Sequence, residues 1–279
     1  MLQLKGGNHL KENYDVIEKI IPLLTCPAKY QEIEKSLLMN SNLPGPRGNL
    51  TLAYKFAQCF ETEHLSQELS DLLFKWAGIS SEEAPANTPE EYLPFCAILA
   101  LGSHYVFTGE DKKSRIMNQM REAMNDKRWR TREGAAIGLQ LIAEKDIEPV
   151  KRYITSWYES SSLLEKRAFL AALAHPPILK EKETIRFSLR VSEAILEDLL
   201  KVREETWRTE EFSILSKGLQ YCLSVFAAEL PEEGFELLKK YARSKNKQMV
   251  KIIRANLGKT RLTKKYPGLV KEVLDELEQ

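Results

Sequence analysis

Apolar residues recur every three to four positions along most of this chain, which is the spacing of one face of an α-helix. The clearest example is residues 132–143 (REGAAIGLQLIA), whose small side chains suit a helix pressed closely against neighbouring helices. The same spacing predicts helices near residues 14–24, 30–39, 49–60, 65–77, 89–101, 112–124, 147–158, 162–174, 181–204, 209–229, 231–242, 247–257 and 267–277. No segment shows the alternation of a β-strand. The pattern therefore predicts an all-α protein.

Helices in corresponding positions begin near residues 49, 90, 132, 165, 210 and 247, at intervals of 41, 42, 33, 45 and 37 residues. Intervals of this size are typical of irregular HEAT-type hairpins, and are too ragged for a tetratricopeptide or ankyrin array. We predict a right-handed α-α superhelix, a HEAT-like or armadillo-type solenoid, that runs as a single unit over residues 1–279 with about six hairpins. Small residues and leucines are predicted to be buried between its layers: Ala135, Ala136, Leu139, Ala168, Ala171 and Leu215.

Two loops carry helix-start signals. Residues 41–49 (SNLPGPRGN) are rich in helix breakers, and Asn49 is predicted to cap the helix that follows. Residues 80–89 form a second polar loop, in which Thr88 is predicted to be the N-cap before Pro89.

Several stretches resemble a group of prokaryotic HEAT-repeat proteins. They are residues 42–50 (NLPGPRGNL), 93–96 (LPFC), 166–174 (KRAFLAALA), 217–222 (KGLQYC) and 256–262 (NLGKTRL). The resemblance spans most of the chain and implies an α-solenoid. The resemblance assigns no catalytic motif and no defined ligand to residues of this chain. HEAT proteins in general act as scaffolds for proteins or nucleic acids, so the resemblance favours a binding function.

The composition indicates which classes of protein fit this chain. Hydrophobic residues make up 43% and charged residues 29% of the chain, which predicts a folded, soluble protein with a substantial core. The 41 Lys and Arg balance the 40 Asp and Glu, so attraction to nucleic acid has to come from local patches. Four widely spaced cysteines and the lack of an export or membrane-spanning segment predict a reduced, cytoplasmic protein without membrane contact.

Known catalytic motifs are missing from the sequence. It contains no dinucleotide or phosphate-binding glycine motif, no HExxH and no GxSxG. Its four histidines are isolated, and none stands three or four residues from another histidine or a cysteine. We predict no catalytic residue, no metal site and no cofactor.

Residues 127–132 (KRWRTR) are the first candidate binding site, because four cations surround one indole between two predicted helices. This composition suits phosphate contacts and stacking on a base, and the candidate residues are Arg128, Trp129, Arg130 and Arg132. The alternative is a repeat junction in which Trp129 packs between helices and Arg132 binds neighbouring turns. The junction is the favoured interpretation.

The second candidate is a basic run over residues 239–271 that contains twelve Lys or Arg and no Asp or Glu. Lys247, Lys251 and Arg254 are spaced to share one helix face, and Lys259 and Arg261 follow. Two interpretations stay open: a surface for a partner, or a solvated terminal cap balanced by glutamates such as Glu232, Glu233 and Glu236. The acidic region over residues 181–211 is interpreted as a solvated face, with head-to-tail association between copies as its alternative.

These observations lead to two functional hypotheses. The first is a non-enzymatic scaffold that binds a protein partner through a curved helical-repeat surface. The alternative is nucleic-acid binding, extending to the activity of HEAT-like alkyl-DNA glycosylases, which the chain resembles only in helical-repeat architecture. That activity requires an aromatic cradle and a carboxylate, for which the candidates are Trp129 or Trp157 with Asp126 or Asp111.

Overall fold

The computed structural model describes residues 5–278, with side chains from Asn13 onward, and within this range the chain forms α-helices and short 3-10 helices without any β-strand. The all-α prediction is confirmed. The chain divides at Asp146 into two compact units. The helices of the first unit are α1 (Lys5–Ile20), α2 (Tyr30–Met39), α3 (Leu50–Gln58), α4 (Gln67–Ala77), α5 (Tyr92–His104), α6 (Glu110–Met124) and α7 (Trp129–Lys145).

The second unit contains the remaining helices. They are α8 (Ile147–Trp157), α9 (Leu163–Leu173), α10 (Lys182–Lys201), α11 (Glu210–Glu229), α12 (Pro231–Ala242), α13 (Lys247–Leu257), α14 (Thr260–Thr263) and α15 (Pro267–Glu278). Among the described residues, no helix has both the length and the apolar character that a bilayer crossing requires.

Side-chain caps fix several helix starts. The Asn49 side chain accepts a hydrogen bond from Leu52 N at 3.2 Å, as predicted, and so satisfies one of the free N–H groups at the start of α3. Ser162 and Glu165 form a capping box at the start of α9. Thr88 occupies the N-cap position before Pro89, as predicted, but its hydroxyl donates to Pro85 O at 3.0 Å and makes no capping hydrogen bond.

Helix α5 is the centre of the first unit. Every residue of α5 is buried, and the helix packs against α3, α4 and α7. The approach to α7 is close enough to require glycine: a Cβ on Gly102 would lie 2.7 Å from Gly138 O and 2.8 Å from Gly138 Cα. Two backbones therefore meet at this crossing, and neither can move aside as a flexible side chain would.

Replacing Gly102 with alanine is expected to lower the free energy of unfolding by about 1–3 kcal/mol, since the added methyl group forces α5 and α7 apart. Denaturant unfolding measures the change. Gly268→Ala in α15 is the matched control, because no atom lies within 4 Å of the added Cβ and alanine favours a helix. Equal stability of the Gly102→Ala variant and the native protein would contradict this close packing.

Helix α11 has the corresponding place in the second unit, where it packs against α9, α12 and α13. The buried Asn256 side chain joins α13 to α11. Its amide donates to Leu219 O and its carbonyl accepts from Ser224 N, both at 2.8 Å. Both polar ends of this buried amide are therefore satisfied.

Most predicted core positions are confirmed. Ala135, Ala136, Leu139, Ala168 and Leu215 are buried. Ala171 is not: it is half-buried, because it lies across α9 from Phe169, on the side of the helix that faces away from the core. The single superhelix over the whole chain stays a prediction.

Candidate functional site

The segment that enters α7 contains two buried arginines, and each clamps an earlier loop. The Arg128 guanidinium donates to both carboxylate oxygens of Asp126, and also to three backbone carbonyls of the loop that follows α4: Ile79 at 2.7 Å, Ala84 at 3.1 Å and Ser80 at 3.2 Å. Every donor of this side chain is used within the protein, so Arg128 fixes a loop and has no N–H left for a phosphate.

Arg130 forms the second clamp. Its guanidinium donates to a Glu91 carboxylate oxygen at 2.9 Å and to Gly45 O at 2.7 Å. Glu91 is fully buried and Arg130 is 6% exposed, so this is an ion pair inside the protein. The clamp ties the start of α7 to two loops, one before α3 and one before α5.

Asn42 and Asn87 lie in these two loops, and Asn87 connects them by hydrogen bonds. Asn42 and Asn87 adopt positive φ angles of 60° and 64°, which asparagine tolerates better than most residues. The Asn87 side-chain oxygen accepts from Gly45 N at 2.9 Å, and Asn87 N donates to Glu91 at 2.7 Å. The two loops therefore hold each other as well as Arg130.

Trp129 stands between the two arginines and is 49% exposed. The interpretation that Trp129 packs between helices is therefore wrong, because its neighbours in sequence point inward while its indole points out. The Arg130 Cζ atom lies 4.9 Å from the centre of the Trp129 ring, within the range of a cation–π contact. Arg132 donates to Asp126 O at 2.6 Å and to Lys127 O at 2.8 Å, as the junction interpretation predicts.

An apolar cavity of about 280 Å³ lies beside the indole. We define the Trp129 surface as Leu50, Tyr92, Phe95, Trp129 and Ile137, which line this cavity. Leu50 is 47% exposed, so two large apolar side chains face solvent at its edge. Arg47, Arg130 and Glu133 supply the charged groups of the lining, and Trp129 also lines a second, more open depression with Pro44 and Pro46.

Two groups of cations within the basic run have different surroundings. Lys239, Lys240 and Arg243 make ion pairs with Glu272, with Glu193 and Glu197, and with Glu276 respectively. These three cations behave as the cap interpretation expects, although most of the glutamates differ from those predicted. Glu236 reaches Lys239 at 3.8 Å, whereas Glu233 pairs with Arg186.

The second group forms an exposed face of α13. Lys247, Lys251 and Arg254 lie on one side of the helix, as predicted, and among the described residues none of them has an ion-pair partner.

Next to α13, Tyr221 of α11 is 47% exposed. The Lys259 Nζ and Arg261 Cζ atoms lie 5.9 Å and 4.6 Å from the centre of its ring. Sequence analysis did not identify Tyr221, because its spacing on α11 carries no signal for the two cations that fold over it.

The candidate groups for glycosylase chemistry are not brought together. Both oxygens of Asp126 accept hydrogen bonds from Arg128, and Asp111 lies exposed in the first turn of α6. Trp157 packs against Tyr153 in the second unit, with ring centres 5.0 Å apart. Neither candidate aspartate lines the cavity beside Trp129.

Burial shifts the pKa values of several titratable side chains in the core. His104 is buried, with Nδ1 3.2 Å from Phe60 O, and burial lowers its pKa. Burial also raises the pKa of the Cys59 and Cys96 thiols, which keeps them protonated and poorly nucleophilic at neutral pH. The described part of the chain contains no cluster of three or more His, Cys, Asp or Glu side chains able to hold a metal ion.

Comparison with known protein families gives no match to this chain, and comparison with curated proteins gives none either.

Proposed function

We propose that this protein is a non-enzymatic cytoplasmic scaffold that binds a protein partner through the Trp129 surface, and that its helices stack as a HEAT-like solenoid. The observation that carries the proposal is a half-exposed indole held in place by a fully buried ion pair. The stacking proposal is supported within each unit by successive helix contacts, α3 with α5 and α5 with α7 in the first, and α9 with α11 and α11 with α13 in the second.

The chemistry of the Trp129 surface favours a protein partner. The side chains that define it are aromatic or aliphatic, and the charged residues of the cavity lining are Arg47, Glu133 and Arg130, whose guanidinium is already paired with Glu91. Tryptophan is enriched among the residues that dominate protein–protein binding energy, and such residues usually fill or flank a pocket. An extended segment of a partner that places an apolar side chain in the cavity fits this surface.

The indole of Trp129 is held in position by Arg130, which favours binding of a partner. An exposed tryptophan on a mobile loop loses conformational freedom when it binds, and this loss weakens the complex. Here Arg130 contacts the indole and is itself tied to Glu91 and Gly45, so the position of the ring is set before a partner arrives.

Replacing Trp129 with alanine is expected to abolish capture of the partner while shifting the melting temperature only slightly, because half of the indole is already in solvent. Affinity capture from a cell lysate with equal amounts of native and variant protein, followed by mass spectrometry, measures the difference. The captured protein is expected to remain bound at high salt and after nuclease treatment, since apolar contacts are screened little by salt.

Tyr221→Ala is the matched control, because it removes an exposed aromatic side chain from the second unit. It is expected to capture the same partner as the native protein. Capture of the same set of proteins by the native and Trp129→Ala proteins would overturn the proposal.

A further inference from the structure

A second surface lies in the second unit, separate from the Trp129 surface. We define the basic face as Lys217 and Tyr221 of α11, Lys247, Lys251 and Arg254 of α13, and Lys259 and Arg261 after it. Helix α11 packs against both α13 and α14, so these elements form one continuous piece of structure.

The positive charge of this face is not neutralised within the described chain. Lys239, Lys240 and Arg243 nearby are paired with glutamates, whereas Lys247, Lys251 and Arg254 are exposed and have no ion pair. The three free cations follow one another along α13 at steps of three or four residues, about 4.5–6 Å along the helix axis. A row of this kind matches a linear polyanion better than a single small anion.

Tyr221 supplies a stacking group beside Lys259 and Arg261, the two cations that follow α13. Its ring is 47% exposed and lies against the Arg261 guanidinium. Aromatic rings and arginine planes stack on the bases of single-stranded nucleic acids, whose bases are accessible, whereas the bases of a duplex are already stacked on each other. A stacking group beside two cations, on a helix that packs against the helix with the row, therefore favours a single strand over a duplex.

The same face argues against a membrane surface. Helices that bind a bilayer interface place an apolar side in the lipid. The apolar residues of α13 are directed inward instead, and Met249, Ile252, Ile253 and Leu257 are all buried.

We propose that the basic face binds single-stranded nucleic acid, with the row on α13 contacting phosphates and Tyr221 with Arg261 stacking on bases. This activity is separate from protein binding by the Trp129 surface. Each function can therefore fail without the other.

Fluorescence anisotropy with a labelled oligothymidylate of about 20 nucleotides, longer than the usual 4–16 nucleotide site, tests the proposal on the full chain. The logarithm of the binding constant is expected to fall linearly with the logarithm of salt concentration. Replacing Lys247, Lys251 and Arg254 together with glutamine is expected to weaken binding roughly tenfold or more at low salt. The slope is expected to become shallower by about 2, since each lost contact contributes about 0.7 for a single strand.

Tyr221 is tested separately. Tyr221→Ala is expected to weaken binding by roughly tenfold through lost stacking, and Tyr221→Phe is expected to retain the native affinity because it keeps the ring. Melting temperatures equal to that of the native protein confirm that each variant is folded.

The matched control replaces three exposed lysines at other positions in the second unit, Lys180, Lys182 and Lys201, with glutamine. It removes the same charge and is expected to bind as the native protein does. Equal loss in the control, or no oligonucleotide binding at low salt, would overturn the proposal. Binding of phosphatidylserine vesicles or polyglutamate through the same cations, with affinity unaffected by Tyr221→Ala, would instead assign the face to anionic lipid or an acidic protein.

Discussion

Replacing Ala136 with glutamate is expected to lower the free energy of unfolding by roughly 4 kcal/mol or more. Ala136 is buried in α7, the helix that packs against α5 and α6, so the new carboxylate enters an apolar interior. A charge without a partner in such a place is among the most destabilising of single changes. Thermal and denaturant unfolding measure the loss.

Ala28→Glu is the control for this substitution, because Ala28 lies exposed in the same unit. Its effect is expected to stay within about 0.5 kcal/mol. An unchanged melting temperature for Ala136→Glu would show that this face of α7 is not part of the core.

Replacing Arg130 with methionine is expected to cost about 3–5 kcal/mol, because Glu91 then keeps a buried charge without its partner. The substitution also removes the contact that holds the indole of Trp129, so partner binding is expected to weaken as well. Denaturant unfolding and partner affinity are the two measurements. Arg152→Met, at an exposed position, controls for the loss of an arginine from a helix.

The double substitution Arg130→Met with Glu91→Gln distinguishes the stability lost through an unpaired buried charge from the stability lost through changed packing. It removes both charges, and is therefore expected to recover part of the stability that Arg130→Met alone loses. If Arg130→Met is as stable as the native protein, the ion pair does not organise these loops.

The helices were predictable because each leaves a local signal in the sequence. The predicted bounds of α12 and α13 agree with the structure, and Asn49 caps α3 as its position before an apolar run indicates. Helix α7 starts three residues before its predicted start at Arg132. Its first turn is built from Trp129 and arginines, which do not follow the apolar spacing. That turn is held by contacts with distant loops rather than by local pattern.

The candidate sites were only partly predictable, because contacts between residues far apart in the sequence leave no local pattern. The sequence singled out the arginines around Trp129, but it did not identify the groups that they bind. Arg128 and Arg130 are buried because carbonyls and Glu91 from residues about 40–85 positions earlier surround them. Glu91 resembled an ordinary helix-start glutamate. The row on α13 was predicted correctly, since spacing alone decides which residues share a helix face.

The two proposals assign one binding surface to each unit. The first presents a rigid apolar surface built on a buried ion pair, and the second presents a basic face with a stacking aromatic. Together we propose that they bring a protein partner and a single-stranded nucleic acid to one chain. Neither surface requires a catalytic residue.

We propose that Trp129 anchors a protein partner, and the decisive measurement is the affinity of the captured partner for the native and Trp129→Ala proteins. Isothermal titration calorimetry at matched salt measures both affinities. The expected result is a loss of roughly 2 kcal/mol or more, about thirtyfold in Kd, at nearly equal melting temperatures. A change in affinity of less than about twofold would contradict the claim, because a residue that contributes so little is not an anchor of the interface.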